Sequence, residues 1–197
     1  MADTATAQMI RTILADRVPR ELSGEGKRSA GVLVLCSQRE GRDSLILTKR
    51  TSKVEHHKGE ISFPGGAQDP EDADIIATAL RETHEEIGIP PTEVEVLGSL
   101  DQDSTRTGYL ISPVVGNLKR DVDFRPNAYE VDVILEVPLR HFLDPRYTQH
   151  EESVMDGDLV SYNAYWYETD LIWGATARII TGFLNLTSHC FTNNSMK

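Results

Sequence analysis

The chain has 197 residues, with 31 Asp and Glu against 20 Lys and Arg, a formal charge of −11 and a hydrophobic share of 39%. That length suits one domain whose core needs no disulfide or structural metal. The charge excludes a general duplex-binding protein, whose phosphate contacts need clustered Lys and Arg. A small anionic ligand stays open, because bound cations or a local basic patch reverse the field at one place.

Met9, Ile10, Ile13 and Leu14 recur at helical spacing and predict a short amphipathic helix over 7–16, stopped before Pro19. Residues 1–25 read as a helical extension that covers a sheet or mediates a homodimer. The first residues lack the basic-then-apolar plan of a signal peptide, and no window approaches the ~18 apolar residues of a membrane span. Cys36 and Cys190 show no framework or metal spacing and read as packing residues. The expected setting is cytoplasmic, reducing and free of membrane.

Ala30–Cys36 is an apolar strand with Ser44–Lys49 as its hairpin partner across a charged turn. A polar stretch, 49–59, precedes a break at Pro64-Gly65-Gly66, where the chain can approach a ligand closely. From Asp72 to Ile87 the pattern is helical: Ile75, Ile76, Ala79, Leu80, Thr83 and Ile87 point inward, and Gly88 supplies the stop. Strands follow near 93–101, 109–118, 131–137, 146–154 and 158–168. A last helix starts at Trp173 with Ala177, Ile180, Phe183 and Leu184 inward, and residues 189–197 read as a frayed tail. Residues 26–188 form a single unit, and the mixed order of elements argues α+β or a mixed-sheet sandwich.

Between Asp69 and Glu86 stand seven acids and one base, Arg81, so this segment carries −6. Its early acids, Glu71, Asp72 and Asp74, suit a helix start by capping and by the macrodipole. An EF-hand fails, because Asp74 falls where the loop needs glycine and Leu80 where it needs Glu. Glu82, Glu85 and Glu86 differ: at i, i+3 and i+4 they crowd one helical face at the end that disfavours anions. A solvated face is one reading; a site for hard divalent cations is the other, with Arg81 holding the carboxylates. A basic island lies just upstream: Lys49, Arg50, Lys53, His56, His57 and Lys58, interrupted by Glu55. Positive side chains beside cation-binding carboxylates suit a phosphate ester or anhydride.

The run Gly66 to Ile89 resembles the Nudix box, GX5EX7REUXEEXGU with U aliphatic. Its second half aligns Arg81, Glu82, Glu85, Glu86 and Gly88, with Thr83 at the first U. Its first half is one residue longer, Ala73 falls on the early Glu, and Asp72 or Glu71 would take that role. Leu45 to Gly66 is similar to the upstream signature of coenzyme A pyrophosphatases, LLTXR(S/A)X3RX3GX3FPGG, through Thr48, Arg50, Gly59 and Phe63-Pro-Gly-Gly66. Thr51 replaces its Ser/Ala and Glu55 its second Arg. Gly108–Gly116, Glu130-Val and Ile172–Ala177 also look like this subgroup.

The resemblance implies an α/β/α sandwich around a mixed sheet and Mg2+- or Mn2+-dependent hydrolysis of a nucleoside diphosphate linked to another moiety. It implies that Glu82, Glu85, Glu86 and the Gly66 carbonyl hold cations, oriented by Arg81. Glu82 or Glu130 would take the proton of the attacking water, while Arg50, Lys53, Lys58, Gly65 and Gly66 meet the substrate. Coenzyme A would yield 3′,5′-ADP and 4′-phosphopantetheine. ADP-ribose, NADH or dinucleoside polyphosphates are the alternative substrates, and a nucleotide sensor without turnover is the alternative of another class. A nucleic-acid substrate lacks an aromatic-plus-basic track.

Overall fold

In a computed structural model of the protein, residues 5–52, 59–155 and 158–192 are described. Strands β1 (Arg28–Arg39) and β2 (Arg42–Arg50) form the expected hairpin. They pair with each other only from Leu35–Ile46 to Arg39–Arg42. Beyond that point the arms take other partners: β3 (Ile61–Ser62) joins β2, and β4 (Gly65–Ala67) joins β1. Between them the Leu33 N–H donates to the Pro64 carbonyl at 2.8 Å. The Pro-Gly-Gly break is therefore stitched into the sheet, which holds it still.

Strands β5 (Val94–Ser99), β6 (Asp103–Ser104), β7 (Tyr109–Leu118) and β8 (Val131–Pro138) complete an eight-stranded mixed sheet of central order β3-β2-β1-β7-β5. The β1–β7 pair is parallel. Strands β9 (Thr148–Met155), β10 (Asp158–Tyr167) and β11 (Asp170–Ile172) form a second, antiparallel sheet. The helices are α1 (Ala5–Ala15), α2 (Ile75–Ile87), α3 (Leu139–Phe142) and α4 (Gly174–Thr192).

Strand alternation sorts the core into two layers. Leu33 and Leu35 of β1 pack with Ala79 and Ile87 of α2, while Val34 and Cys36 face the cluster that holds Ile10 of α1 and Phe183 of α4. A strand covered on both faces reads as one apolar run, as Ala30–Cys36 does. The result is the expected α/β/α sandwich. Helix α1 buries Ala7, Ile10 and Leu14 in the same cluster as α4, so it covers the sheet.

Three expectations change. Helix α2 begins at Ile75, because Asp74 is extended (φ −160°, ψ −179°) and caps it by accepting the Ala77 N–H at 2.8 Å. Helix α4 continues through Thr192 with Cys190 buried, so no tail begins at 189. Lys49 of the basic island bonds both Asp170 carboxylate oxygens at 2.8 Å, clamping β11 to β2 instead of facing a ligand. Both thiols are free and buried, and burial pushes Cys36 up to about 12, as packing residues require. Among the described residues no helix is long and apolar enough to cross a membrane.

Candidate active site

The three clustered glutamates meet three environments. Glu86 is 2% exposed and lies against the sheet, Glu82 is half-buried beside β4, and Glu85 is exposed. One turn of helix therefore carries its carboxylates from the core edge out to water. Gly88 ends the helix in the left-handed conformation (φ 74°) and donates its N–H to the His84 carbonyl at 2.9 Å.

Arg81 organises this end. Its guanidinium bonds Asp72 through Nε at 2.9 Å and Nη2 at 3.0 Å, Glu82 at 2.9 Å, Glu85 at 3.1 Å and the Ala67 carbonyl at 3.2 Å. Asp72 also accepts from the Thr78 hydroxyl and the Asp69 backbone N–H, both at 2.9 Å. Of the two early acids, Asp72 and not Glu71 is the one that bonds Arg81 among the described residues. No periodicity marks it, since it stands nine positions before Arg81; only the loop geometry brings the two together.

The Pro-Gly-Gly segment is adjacent. A Cβ on Gly66 would lie 2.5 Å from the Glu82 carboxyl carbon, so only glycine lets that carboxylate rest on the strand. Arg50, at the end of β2, places Nη1 3.7 Å from Glu86 Oε1. Gly59 (φ 71°) returns the chain by donating its N–H to the Arg50 carbonyl at 3.2 Å. The Thr48, Arg50 and Gly59 positions of the upstream signature thus belong to one hairpin that aims a guanidinium at Glu86.

Glu130 arrives on a loop tied to the end of α2. The Arg125 and Asn127 N–H groups each donate at 2.8 Å, to the Ile87 and Glu86 carbonyls, satisfying orphan acceptors of the helix end. Thr51 then grips the loop, its N–H on the Glu130 carbonyl at 2.9 Å and its hydroxyl on the Tyr129 carbonyl at 2.7 Å. No local pattern marks Asn127 and Thr51 for this role, because their partners lie far away in the sequence. Glu130 is close enough that its charge acts on both Glu82 and Glu86. Lys53, Lys58, His56, His57 and Glu55 lie outside the described residues.

Burial pushes Glu86 up to about 8; the Arg50 charge opposes this, while Glu82 and Glu130 reinforce it. Burial also raises Glu82, against the pull of Arg81. Asp72 is held well below the usual carboxylate range, chiefly by its hydrogen bonds from Arg81. Among the described residues no three acidic, His or Cys groups already form a cation cage. The guanidinium groups of Arg81 and Arg50 do part of that work. Yet among the described residues Glu86 Oε2 is buried without a hydrogen-bond partner. An all-oxygen donor set with an orphaned carboxylate oxygen and mutual repulsion fits a hard divalent cation.

Comparisons with known proteins agree with this geometry. A model of the NUDIX domain matches residues 27–173. The uncharacterized Nudix hydrolase NudL of Photorhabdus laumondii is 39% identical over 163 residues, covering 82% of this chain and 86% of its own. The NudL of Escherichia coli O1:K1 is 40% identical over 153 residues, covering 78% and 79%. A Nudix hydrolase structure from Alicyclobacillus acidocaldarius superimposes with a TM-score of 0.52 at 18% identity, over 81% of this chain and 91% of that one. The Mycobacterium smegmatis Nudix hydrolase RenU reaches 0.50 at 21% identity, over 59% and 73%. With its box helix seated on the Pro-Gly-Gly strand and its relatives matched across most of its length, the chain belongs to the Nudix family and hydrolyses a pyrophosphate bond of a nucleotide derivative.

Proposed function

We propose that the substrate is coenzyme A or one of its derivatives, cleaved at the diphosphate to 3′,5′-ADP and 4′-phosphopantetheine. The observation that carries this reading is the β2–β3 hairpin, where the residues resembling the coenzyme A pyrophosphatase signature bring Arg50 to Glu86. That arrangement gives the signature a physical purpose, because it puts a bidentate-capable cation beside the carboxylates.

Glu82, Glu85, Glu86 and the Gly66 carbonyl would hold Mg2+ or Mn2+. Such an ion, when bound, neutralises phosphate oxygens and lowers the pKa of a coordinated water. The remaining work falls to this chain. Arg81, locked by Asp72, keeps Glu82 and Glu85 in place. Arg50 meets phosphate charge, with Lys53 and Lys58 assigned to the same task. Glu130 or Glu82 accepts a proton from the attacking water as its oxygen bonds to phosphorus and the bridging anhydride P–O bond breaks. The product phosphate leaves with that bridging oxygen.

Product analysis after incubation with coenzyme A and Mg2+ or Mn2+ tests the reading, the expected products being 3′,5′-ADP and 4′-phosphopantetheine. A substrate panel sharpens it. A kcat/KM for ADP-ribose, NADH or a dinucleoside polyphosphate well above that for coenzyme A overturns it. Glu130→Gln identifies the base: a loss of roughly 10²–10⁴-fold in kcat assigns the proton transfer to Glu130, whereas a small loss moves it to Glu82.

A further inference from the structure

The site just described leaves unused the Ile172–Ala177 segment, which resembles the coenzyme A subgroup, and the 105–107 turn that leads into Gly108–Gly116. These stretches, far apart in sequence, come together around one cavity of about 570 Å³. Its walls are β3, the 105–107 turn, β9 and β10, and the start of α4. That volume lies in the ~300–1,000 Å³ range of small-molecule sites. The cavity is joined to the catalytic region through the chain itself. Glu60 accepts the Arg50 N–H at 3.0 Å, and β3 runs through Phe63 and Pro64 into Gly65 and Gly66.

The lining decides what such a cavity accepts. Ile61, Tyr162, Trp173 and Ala175 supply apolar and aromatic surface. Among the described residues the charged side chains are Glu60, Glu151 and Glu152 against Arg106 and Arg178, three acids to two bases. Arg178 is already engaged: its guanidinium bonds Asp103 at 2.9 and 3.1 Å and the Ser104 carbonyl at 3.1 Å, and it lies 5.3 Å from the Tyr162 ring centre. A phosphate group would therefore meet a surplus of carboxylate. Threonine hydroxyls at 105, 107 and 176 and the glutamate oxygens suit amide and hydroxyl groups instead. The aromatic and aliphatic surface suits a methylene chain.

We infer that this cavity seats the uncharged, amide-bearing pantetheine arm of the substrate and so selects coenzyme A-like molecules over other nucleoside diphosphates. The inference rests on the proposed coenzyme A reading and adds a place for the half of the molecule that carries no phosphate. Trp173 is half-exposed at the rim, and its ring would cover the arm. The diphosphate itself would lie outside this pocket, at Arg50 and the glutamates of α2.

Two variants and one binding measurement test it. Ala175→Phe fills the cavity, and Trp173→Ala removes an exposed ring without touching the core. Both are expected to raise KM for coenzyme A about tenfold, the effect of losing one good apolar contact, with kcat kept within about threefold. Pantetheine alone is expected to bind the unaltered, metal-free protein in calorimetry and to lose that binding in Ala175→Phe. Should the unaltered protein fail to hydrolyse coenzyme A, the substrate reading falls, whatever the variants do. If it hydrolyses coenzyme A but Trp173→Ala and a folded Ala175→Phe keep KM unchanged, the pocket assignment alone falls. Absence of pantetheine binding to the unaltered protein has the same consequence.

Discussion

The two ends of helix α2 carry similar numbers of acids and use them in opposite ways. At its start, Asp74 caps a backbone N–H, and Asp72 receives Arg81, Thr78 and a main-chain donor. Both of these charges are answered by hydrogen bonds, and Asp72 titrates well below the usual carboxylate range. At its end, Glu86 is buried against one guanidinium 3.7 Å away, with one oxygen orphaned, and burial raises both it and Glu82. A carboxylate with a completed set of donors is architecture. One held in the dry interior without that set is waiting for a cation.

The largest expected effect breaks the second half of this comparison. Glu86→Gln should lower kcat/KM about 10²–10³-fold, the several kcal/mol of charge stabilisation assigned to a cation site. It should not lower the melting temperature of the metal-free protein at neutral pH. The sign follows from linkage. The folded value of Glu86 is raised from 4.5 to about 8, so the folded state binds its proton more tightly than the unfolded chain. Its stabilising contribution is present below pH ~4.5 and is lost as pH rises towards about 8. Melting of metal-free protein across that window should show the loss in the unaltered chain and a weaker one in Glu86→Gln. Added Mg2+ should restore stability to the former at the upper end.

Gly66→Ala comes next. The new methyl would displace the Glu82 carboxylate, which sits at the end of a flexible side chain, so folding should survive while activity falls about 10–100-fold. A fall in melting temperature as steep as the fall in kcat would show that the strand, and not the carboxylate, was disturbed. Asp72→Asn sharpens the first half. It frees Arg81 from its bidentate partner and should cost about tenfold in kcat, with a lowered melting temperature as well. The smallest effect belongs to Asp74→Ala, which removes only a helix cap. It should cost about 1 kcal/mol, seen as roughly 2–4 °C in melting temperature, with kcat/KM unchanged. A catalytic defect in that variant would erase the distinction between the two ends.

The same distinction changes the meaning of the chain's charge. The stretch from Asp69 to Glu86 carries −6, and on sequence alone its early acids suit a helix start and its late ones a cation site. In the fold Asp74 is consumed by capping and Asp72 by Arg81. Only the late ones face the Pro-Gly-Gly strand, Arg50 and Glu130. Carboxylates eight to fourteen positions apart thus serve different ends, and the completeness of their hydrogen bonding separates them.

Local pattern alone determined the hairpin of β1 and β2, the helix up to Gly88, the longer strands and the glutamate face, because those signals lie within one or two turns of backbone. The arginine and glycines of the box were legible for the same reason: they sit at set intervals on one helix and one break. Tertiary structure alone decided that Asp72 clasps Arg81 and that Lys49 serves a sheet contact. It also decided that Thr51 and Asn127 hold Glu130 in place, and that the 105–107 turn and the start of α4 share a cavity. Those facts depend on where the two arms of a hairpin part and what enters between them. Side-chain period does not encode that, since it follows from backbone hydrogen bonds between segments far apart in the chain.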